Sequence, residues 1–288
     1  MGGSVGRGQP IRNNESMGTE ARNPRSIGLD KMTPQEIVRL MNEEEHQVIR
    51  AMKAAEPQLA EAITQCAEVY NGGGRIVYVG AGTSGRVARM DAAEMPPTFG
   101  IDNTRFIALT AGGDEAASNA IEDAEDEVHS AMEGINKLGL GPGDALIALA
   151  ASGRTPYVVA AAKHAGAKGV WTCGIANNPG APLFDHVDLA ILLETGPEVL
   201  TGSTRLKAGT SQKLALNTIS TGTMVLAGKV VENLMIDVKA KNHKLKERCV
   251  RIVRDLTNAT EVDALRLLEA NDWNVRRVVE MLHAEERV

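Results

Sequence analysis

Apolar residues between positions 34 and 70 recur every three or four residues, which is the spacing of one face of an α-helix. Thr33 and Pro34 supply a helix start signal immediately before this stretch. The pattern therefore predicts that one or two long helices open the fold.

Five short runs of β-branched and apolar residues come next, and each has the length of a buried strand. They span residues 75–79, 105–110, 145–150, 170–175 and 188–193. Helical patterns separate several of these runs, at residues 84–93, 115–132 and 156–165. Because strands that alternate with helices form βαβ units, we expect an α/β fold, a doubly wound sandwich around a five-stranded parallel sheet.

The last third of the chain holds one long apolar stretch and then shorter amphipathic ones. Residues 203–238 contain no proline and predict a single long helix, buried against the sheet or a second subunit. Segments at 245–256, 261–269 and 274–283 predict a small three-helix bundle that resembles the ubiquitin-associated (UBA) type. We expect this bundle to be a structural appendage, with a separate binding module as the alternative.

These patterns divide the chain into four regions. Residues 1–18 are polar and glycine-rich, and we expect a disordered or non-native leader in which Met17 is an alternative start. An N-terminal helical region (19–70) follows. The sheet domain with the long helix (71–238) and the C-terminal bundle (239–288) complete the chain.

Composition narrows the classes of ligand. The 288 residues include 31 lysines and arginines against 37 aspartates and glutamates, and this net charge of −6 argues against nucleic acid and anionic membranes as partners. Three Phe, two Trp and three Tyr are too few for base stacking. The 29 glycines instead favour a backbone that lies close to its ligand.

The cysteines and the N-terminal segment indicate the cellular compartment. Cys66, Cys173 and Cys249 are far apart and lack CxxC spacing, which predicts packed thiols in a reducing environment. No run of apolar residues is long enough for a membrane span, and the N-terminus lacks the apolar core of a signal peptide. We expect a soluble cytoplasmic protein.

A glycine-rich loop, Gly80-Ala81-Gly82-Thr83-Ser84-Gly85, follows the first strand and opens a helix, as in the G-x-G-x-x-G pattern of dinucleotide sites. Such sites also need an acid at the end of the second strand, where this chain has Thr110 followed by alanine and glycines. Hydroxyls beside free helix N–H groups suit a small phosphate monoester. We expect Gly82, Thr83, Ser84 and Gly85 to bind a sugar phosphate, with a ligand-free tight turn as the alternative.

A second loop of this kind follows the third strand. It contains Ser152, Gly153, Arg154 and Thr155, and Pro156 suits the first turn of the next helix. Ligands of parallel sheets bind at the carboxyl ends of the strands where the winding reverses, so both loops can address one ligand.

A third cluster begins the long helix and combines hydroxyls with cations. Ser203, Thr204 and Lys207 are its candidate binding residues. The alternatives are that Ser203 only caps the helix and that Lys207 is an ordinary surface lysine.

Together the three loops resemble the sugar isomerase (SIS) fold, and longer signatures resemble the N-acetylmuramic acid 6-phosphate etherase family within it. The matching segments are Thr19-Glu20-Ala21-Arg22-Asn23-Pro24 and residues 80–86, 91–100, 122–126, 150–157, 196–213 and 217–238. The chain departs from the family's more usual residues at 87–90, Ala93, Met95 and Asp123. These departures spare both carboxylates considered below.

The resemblance implies a lyase that cleaves the D-lactyl ether of N-acetylmuramic acid 6-phosphate during peptidoglycan recycling. The products are N-acetylglucosamine 6-phosphate and D-lactate. In the family's proposed mechanism the open-chain sugar loses its C2 proton, lactate leaves C3, and water adds back at C3. The resemblance implies no metal and no organic cofactor, and we expect a homodimer that buries its long helices.

Two proton-transfer groups are needed, and two carboxylates in different environments suit that task. Glu94 matches the family residue that protonates departing lactate, and Pro96-Pro97 after it is expected to stop the helix and aim this carboxylate at the ligand. Glu125 matches the second catalytic glutamate, for which removal of the C2 proton is the natural role. Glu122 lies one turn away and is the alternative to Glu125.

Other functions remain as alternatives. A non-catalytic SIS sensor would bind a sugar phosphate and regulate a kinase or transcription, but both matched glutamates and the single-SIS length argue against it. An aldose–ketose isomerase would give product without lactate. His243 stands alone in a polar stretch, and we expect it to be structural or exposed, with a role in the site left open.

Overall fold

The computed structural model describes residues 18–117, 119, 121–240 and 242–285. The leader expected at residues 1–18 lies outside the described residues except for Gly18, where a first 3-10 turn (Gly18–Glu20) begins. No helix in the described ranges is long and apolar enough to cross a membrane.

From residue 18 onward, three α-helices precede the sheet, where the pattern predicts one or two. They are α1 (Pro34–Glu44), α2 (His46–Ala54) and α3 (Glu56–Asn71). Thr33 caps α1 through a capping box with Glu36, as the start signal predicts. The break before α3 coincides with Pro57 in its first turn, because proline has no backbone N–H to continue the preceding helix. The apolar spacing runs across this break, so the pattern alone did not reveal it.

A five-stranded parallel sheet forms the centre of the fold, as predicted. Its strands are β1 (Ile76–Gly80), β2 (Phe106–Thr110), β3 (Ala145–Leu149), β4 (Trp171–Ala176) and β5 (Leu189–Leu192). Each boundary lies within one residue of the predicted one. The spatial order is β2-β1-β3-β4-β5, and every neighbouring pair is parallel.

Helices cover both faces of the sheet. Helices α3, α4 (Gly82–Phe99) and α7 (Lys207–Leu226) pack on one face, and α5 (Val128–Leu138) and α6 (Pro156–Gly166) pack on the other. Successive side chains of β1 point to opposite faces of the sheet. Tyr78 packs in the core under α3, α4 and α7, and Val77 and Val79 pack in the core under α5 and α6. The doubly wound sandwich is therefore confirmed.

The two prolines near Glu94 do not end α4. Pro96 and Pro97 lie inside its last turn, and the helix continues to Phe99, where Gly100 adopts a left-handed conformation with φ of 66°. Proline's fixed φ fits a helix, and in the last turn the two residues remove only the hydrogen bonds to the carbonyls of residues 92 and 93. The prediction that they stop the helix was wrong.

Residues 115–132 form no continuous helix, contrary to the prediction. Two 3-10 turns, Glu115–Ala117 and Glu122–Asp126, precede α5, which starts at Val128. The acidic run from 122 to 127 opposes a regular helix because like charges three or four residues apart repel.

The long helix is also shorter than predicted. It ends at Leu226, and Gly228 with φ of 68° turns the chain into an antiparallel hairpin of β6 (Val230–Val231) and β7 (Leu234–Met235). Glycine in this conformation is a common end of helices. The apolar residues that suggested a longer helix, such as Ile236 and Val238, pack on the C-terminal bundle instead.

The tail contains the three predicted helices. They are α8 (His243–Leu256), α9 (Glu261–Ala270) and α10 (Val275–Glu285), and they share an apolar core of their own. Arg276 joins this bundle to the sheet domain, since its guanidinium donates to both carboxylate oxygens of Asp237 at 2.8 and 2.9 Å.

Candidate active site

The first two predicted loops meet at one edge of the sheet. Strands β1 and β3 are parallel neighbours, and their last residues, Gly80 and Leu149, are partners in the register. The next strand after β1 in sequence lies on its other side, so the winding of the sheet reverses between β1 and β3. This reversal is the place where ligands of open α/β sheets bind.

Helix α4 begins with unsatisfied backbone donors. No side chain in the described part of the chain caps this end, whose N-cap is Ala81. Its first N–H groups have no acceptor within the helix and can point at an anion. Ser84 is buried just inside this turn. Gly85 allows the close packing, because a Cβ there would lie 2.9 Å from the Gly80 carbonyl oxygen.

Helix α6 begins in a similar way. Thr155 is its N-cap and Pro156 its first residue, and no side chain of a described residue caps it. The Ser152 hydroxyl accepts a hydrogen bond from the Arg154 backbone N–H at 3.1 Å. Gly153 takes φ of 69°, a conformation that favours glycine.

Glu125 reaches the start of α4. Its Oε1 lies 3.3 Å from the position that a Cβ on Gly82 would occupy. The two residues line a cleft of about 70 Å³ together with Arg86 and Asn119, and the Arg86 guanidinium donates to the Asn119 carbonyl oxygen at 2.9 Å. Arg86 is a cation that the pattern analysis did not single out. The side chain of Glu122 lies outside the described residues.

Glu94 is not part of this cleft. It is exposed on α4, twelve residues after Gly82, and at 1.5 Å per residue this places it about 18 Å further along the helix axis. Met90 and Pro97 lie one turn before and one turn after it on the same face, Ala93 lies beside them, and all three are exposed. One chain therefore brings Glu125 to the first loop but leaves Glu94 at a distance, next to these exposed apolar residues.

The start of α7 differs from those of α4 and α6. The helix begins at Lys207, and the buried carboxylate of Glu198 accepts the backbone N–H groups of Lys207 and Ala208 at 3.0 and 2.9 Å. Burial raises the pKa of Glu198, although these hydrogen bonds oppose the rise. Ser203 is not the N-cap, because that position belongs to Leu206. Ser203 and Thr204 are half-buried in the turn before the helix.

Lys207 is buried and ion-paired. Its side chain is 2% exposed, and its Nζ donates to Glu44 Oε2 at 2.6 Å. Asn23 donates to the same oxygen at 2.7 Å, and Arg25 contacts the other carboxylate oxygen at 3.0 Å. The surface-lysine alternative is therefore wrong, and the ammonium group has a partner within its own chain.

His243 lies far along the chain in the C-terminal bundle, at the first position of α8. Its side chain is 88% exposed, and its Nδ1 is 3.5 Å from Glu247. It lines a groove of about 640 Å³ on the bundle, together with Lys246, Leu265 and Trp273. None of the residues predicted for the phosphate site lines this groove.

Two family models match the chain. The model described as glucokinase regulatory protein N-terminal SIS domain matches residues 58–165, and the model described as SIS domain matches residues 121–221.

Curated relatives align over nearly the whole chain. N-acetylmuramic acid 6-phosphate etherase of Aeromonas hydrophila is 43% identical over 269 residues, which are 93% of this chain and 90% of that protein. The protein of the same name from Geobacillus sp. is 44% identical, with 93% and 91% covered. That of Deinococcus radiodurans is 45% identical, with 92% and 87% covered.

Solved structures share the fold at low sequence identity. A phosphoheptose isomerase from Francisella tularensis superposes with a TM-score of 0.53 at 17% identity, covering 67% of this chain and 98% of that one. The Vibrio vulnificus NanR protein complexed with ManNAc-6P gives 0.50 at 17% identity, covering 71% and 67%. At this identity the structural similarity shows only that the fold is shared.

Proposed function

Because the chain belongs to the N-acetylmuramic acid 6-phosphate etherase family, we propose that it cleaves the D-lactyl ether of N-acetylmuramic acid 6-phosphate, yielding N-acetylglucosamine 6-phosphate and D-lactate. It is an enzyme of the carbon–oxygen lyase class. The observation that carries this proposal is the 43–45% identity to etherases over more than nine-tenths of the chain.

The substrate's phosphate binds where α4 and α6 begin. The uncapped N–H groups of both helices supply donors, and Ser84, Ser152 and Thr155 supply hydroxyls beside them. A helix N-terminus favours an anion without any basic surface, which agrees with the negative net charge of the chain. Lys207 stays outside this pocket because its ammonium group is buried against Glu44.

Glu125 is the base for the first step. It removes the C2 proton of the open-chain aldose, and the C1 aldehyde delocalises the electron pair as an enolate. In the second step that electron pair forms the C2–C3 double bond as the lactyl oxygen leaves C3. Arg86 lines the same cleft and offsets the negative charge that develops during proton removal.

Glu94 is the acid for the second step. It donates a proton to the departing lactyl oxygen, so that D-lactate leaves as the alcohol. Water then adds at C3 while a proton returns to C2, which restores the saturated sugar.

The two glutamates act together only across two copies of the chain. The phosphorus and C3 of the sugar are separated by five bonds, roughly 7 Å in extended form, whereas Glu94 lies about 18 Å along α4 from the first loop of its own chain. We therefore place Glu94 in the site of a partner subunit. The exposed apolar face around it, formed by Met90, Ala93 and Pro97, supports a homodimer contact here.

The cytoplasm is the compartment that we propose. All three cysteines are buried free thiols, an arrangement that suits a reducing environment.

The sensor and isomerase alternatives find less support. Etherases are similar to this chain over nearly its full length, whereas the isomerase and NanR structures share the fold at 17% identity. A sensor would release no D-lactate, and an isomerase would convert the substrate without lactate.

Substitution of Glu94 tests the chemistry. Glu94→Gln should release D-lactate at a rate about 100- to 10,000-fold lower while remaining folded, which is the range of general acid catalysis. Glu133→Gln is the matched control, because Glu133 is an exposed helical glutamate of α5. Wild-type activity in Glu94→Gln would remove Glu94 from the mechanism.

Mixed dimers test the shared site. After subunit exchange between Glu94→Gln and Glu125→Gln, a mixed dimer has one site with both glutamates intact, so random mixing should restore about a quarter of wild-type activity. If both glutamates act within one chain, no activity returns.

A further inference from the structure

Helix α4 carries a second carboxylate that the proposed mechanism does not use. Asp91 lies three residues before Glu94 and is only 4% exposed. Three side chains donate hydrogen bonds to it: Tyr78 Oη to Oδ2 at 2.9 Å, Asn217 Nδ2 to Oδ1 at 2.6 Å and Ser220 Oγ to Oδ1 at 3.1 Å. Both carboxylate oxygens are therefore bonded.

These bonds tie three elements together. Tyr78 belongs to β1, while Asn217 and Ser220 lie one turn apart on α7. Asp91 thus fixes α4 against both the sheet and the neighbouring helix. Burying a carboxylate is costly unless it is well bonded, so this cluster has a strongly preferred geometry.

Glu94, by contrast, depends on α4 for its direction. Within the part of the chain that the structure describes, its side chain makes no hydrogen bond or ion pair. Residues three apart on a helix differ by about 60° around the axis, so the anchor at Asp91 sets the face on which Glu94 projects. A rotation of α4 by about 10° would move a carboxylate that lies some 6 Å from the axis by roughly 1 Å.

We propose that Asp91 is a positioning residue for lactate release, holding α4 at the rotation that aims Glu94 at the lactyl oxygen. This inference rests on the proposed function, in which Glu94 is the acid. Glu125 lies on the segment between β2 and α5, and none of the hydrogen bonds that Asp91 accepts from described residues comes from that segment. Helix α4 meets the segment near its start, through Arg86 and Arg89. Loss of the anchor should therefore impair the acid step much more than removal of the C2 proton, because the base itself is not on α4 and Arg86 is only its neighbour in the cleft.

The ratio of two rates separates positioning from a general loss of structure. The first is exchange of the C2 hydrogen with deuterated water, which reports on Glu125. The second is D-lactate release, which also needs Glu94. A variant that is merely unstable loses active molecules and lowers both rates equally, so the ratio does not change with the folded fraction.

The experiment measures both rates at saturating N-acetylmuramic acid 6-phosphate in the full-length wild type, Asp91→Asn and Tyr78→Phe. Asp91→Asn should raise the exchange-to-release ratio by up to about 100-fold, since a misplacement of 1 Å can cost that much. Tyr78→Phe removes one of the three donors and keeps the ring, so it should raise the ratio by several-fold. The Glu94→Gln variant gives the largest exchange-to-release ratio that loss of the acid can produce.

Thr223→Val is the matched control on α7. Its Oγ1 donates to the Ile219 carbonyl oxygen at 2.7 Å in the same buried layer and makes no bond to Asp91. Its ratio should equal that of the wild type even where its stability is lower.

An unchanged ratio in Asp91→Asn, with the wild type active, would overturn the inference and leave the proposed function intact. If Asp91→Asn does not fold, Tyr78→Phe and Ser220→Ala decide the matter, and wild-type ratios in both would overturn it. A wild type that releases no D-lactate would instead reject the proposed function, and the inference with it.

Discussion

Helices α4 and α7 begin side by side, and their backbone donors are satisfied in different ways. A Cβ on Gly209 of α7 would lie 3.1 Å from Thr83 Cγ2 of α4, so the two N-termini are in contact. Helix α4 is uncapped by any described side chain, whereas α7 has the buried carboxylate of Glu198 on its first two N–H groups. In sequence both starts combine glycines with hydroxyls.

A helix N-terminus is therefore only a potential anion site. The dipole and the free donors exist at every such end, and the surrounding chain determines whether a ligand or an internal acid takes them. At α7 the protein supplies its own anion, and Lys207 neutralises Glu44 nearby. At α4 no described side chain takes the donors, as the proposed phosphate site requires.

The largest expected effect comes from making α4 resemble α7. Ser84→Asp places an internal carboxylate in the first turn of α4, and like-charge repulsion should lower kcat/KM for the phosphorylated sugar by about 1000-fold. The free energy of unfolding should change by no more than about 1 kcal/mol, because acids stabilise helix N-termini. Steady-state kinetics and urea unfolding give both numbers.

Ser130→Asp is the control for that change. Ser130 occupies the same third helical position in α5 and is exposed. Its kcat/KM should match the wild type, and near-normal kinetics in Ser84→Asp would mean that the phosphate does not bind at α4.

Breaking the ion pair near α7 should affect stability and not substrate binding. Lys207→Met leaves Glu44 without its buried cation, which should cost about 3 kcal/mol in the free energy of unfolding. The double variant Lys207→Met/Glu44→Met should recover much of that loss. A KM raised tenfold or more in the folded double variant would instead assign Lys207 to the phosphate pocket, contrary to the account given above.

Glu198→Gln tests the internal cap of α7 itself. The new amide group places an NH₂ against a backbone N–H where a carboxylate oxygen now accepts, so the free energy of unfolding should fall by about 2 kcal/mol. Glu194→Gln changes an exposed glutamate four residues earlier and should stay within about 0.5 kcal/mol of the wild type. Equal stability of the two variants would show that Glu198 does not hold the helix start.

Part of this comparison could be predicted from the sequence. Apolar runs fixed the five strands, and the rule for parallel sheets then brought the loops after β1 and β3 together. The carboxylate that caps α7 could not be found in this way. Glu198 reaches the first N–H groups of the helix only because the loop between them folds back, and no pattern in the sequence predicts the course of that loop. The partner of Lys207 is 163 residues away, and spacing carries no signal for such a contact.

The lengths of the helices also could not be predicted from the apolar pattern alone. Residues 203–238 are mostly apolar, as the pattern shows. The last residues of this stretch, however, belong to the core of the C-terminal bundle, whereas α7 belongs to the core of the sheet domain. Glu94 and Glu125 were assigned through the resemblance, and their roles stay predictions. Their separation in one chain became visible only with the bounds of α4 and the position of Glu125 beside Gly82.

Acid should lower the free energy of unfolding through protonation of Glu44, the partner of Lys207 at the start of α7. Burial raises the pKa of Glu44, but hydrogen bonds from Lys207 and Asn23 outweigh it and hold the pKa below the ordinary value of a glutamate. Since the unfolded chain then binds the proton more readily, Glu44 contributes stability above about pH 4.5 and loses that contribution as the pH falls further.

Glu44→Gln checks this sign. Between about pH 6 and pH 3.5 the wild type should lose more of its free energy of unfolding than Glu44→Gln does. Urea unfolding across that range measures the difference. An equal loss in both proteins would show that the pKa of Glu44 does not differ between the folded and unfolded chains.

The most direct test of the whole account is D-lactate release from N-acetylmuramic acid 6-phosphate compared with the sugar that lacks the phosphate. The account predicts one D-lactate and one N-acetylglucosamine 6-phosphate for each phosphorylated substrate consumed, and far slower release from the unphosphorylated sugar. Binding or isomerisation without D-lactate, or equal rates with both sugars, would contradict it.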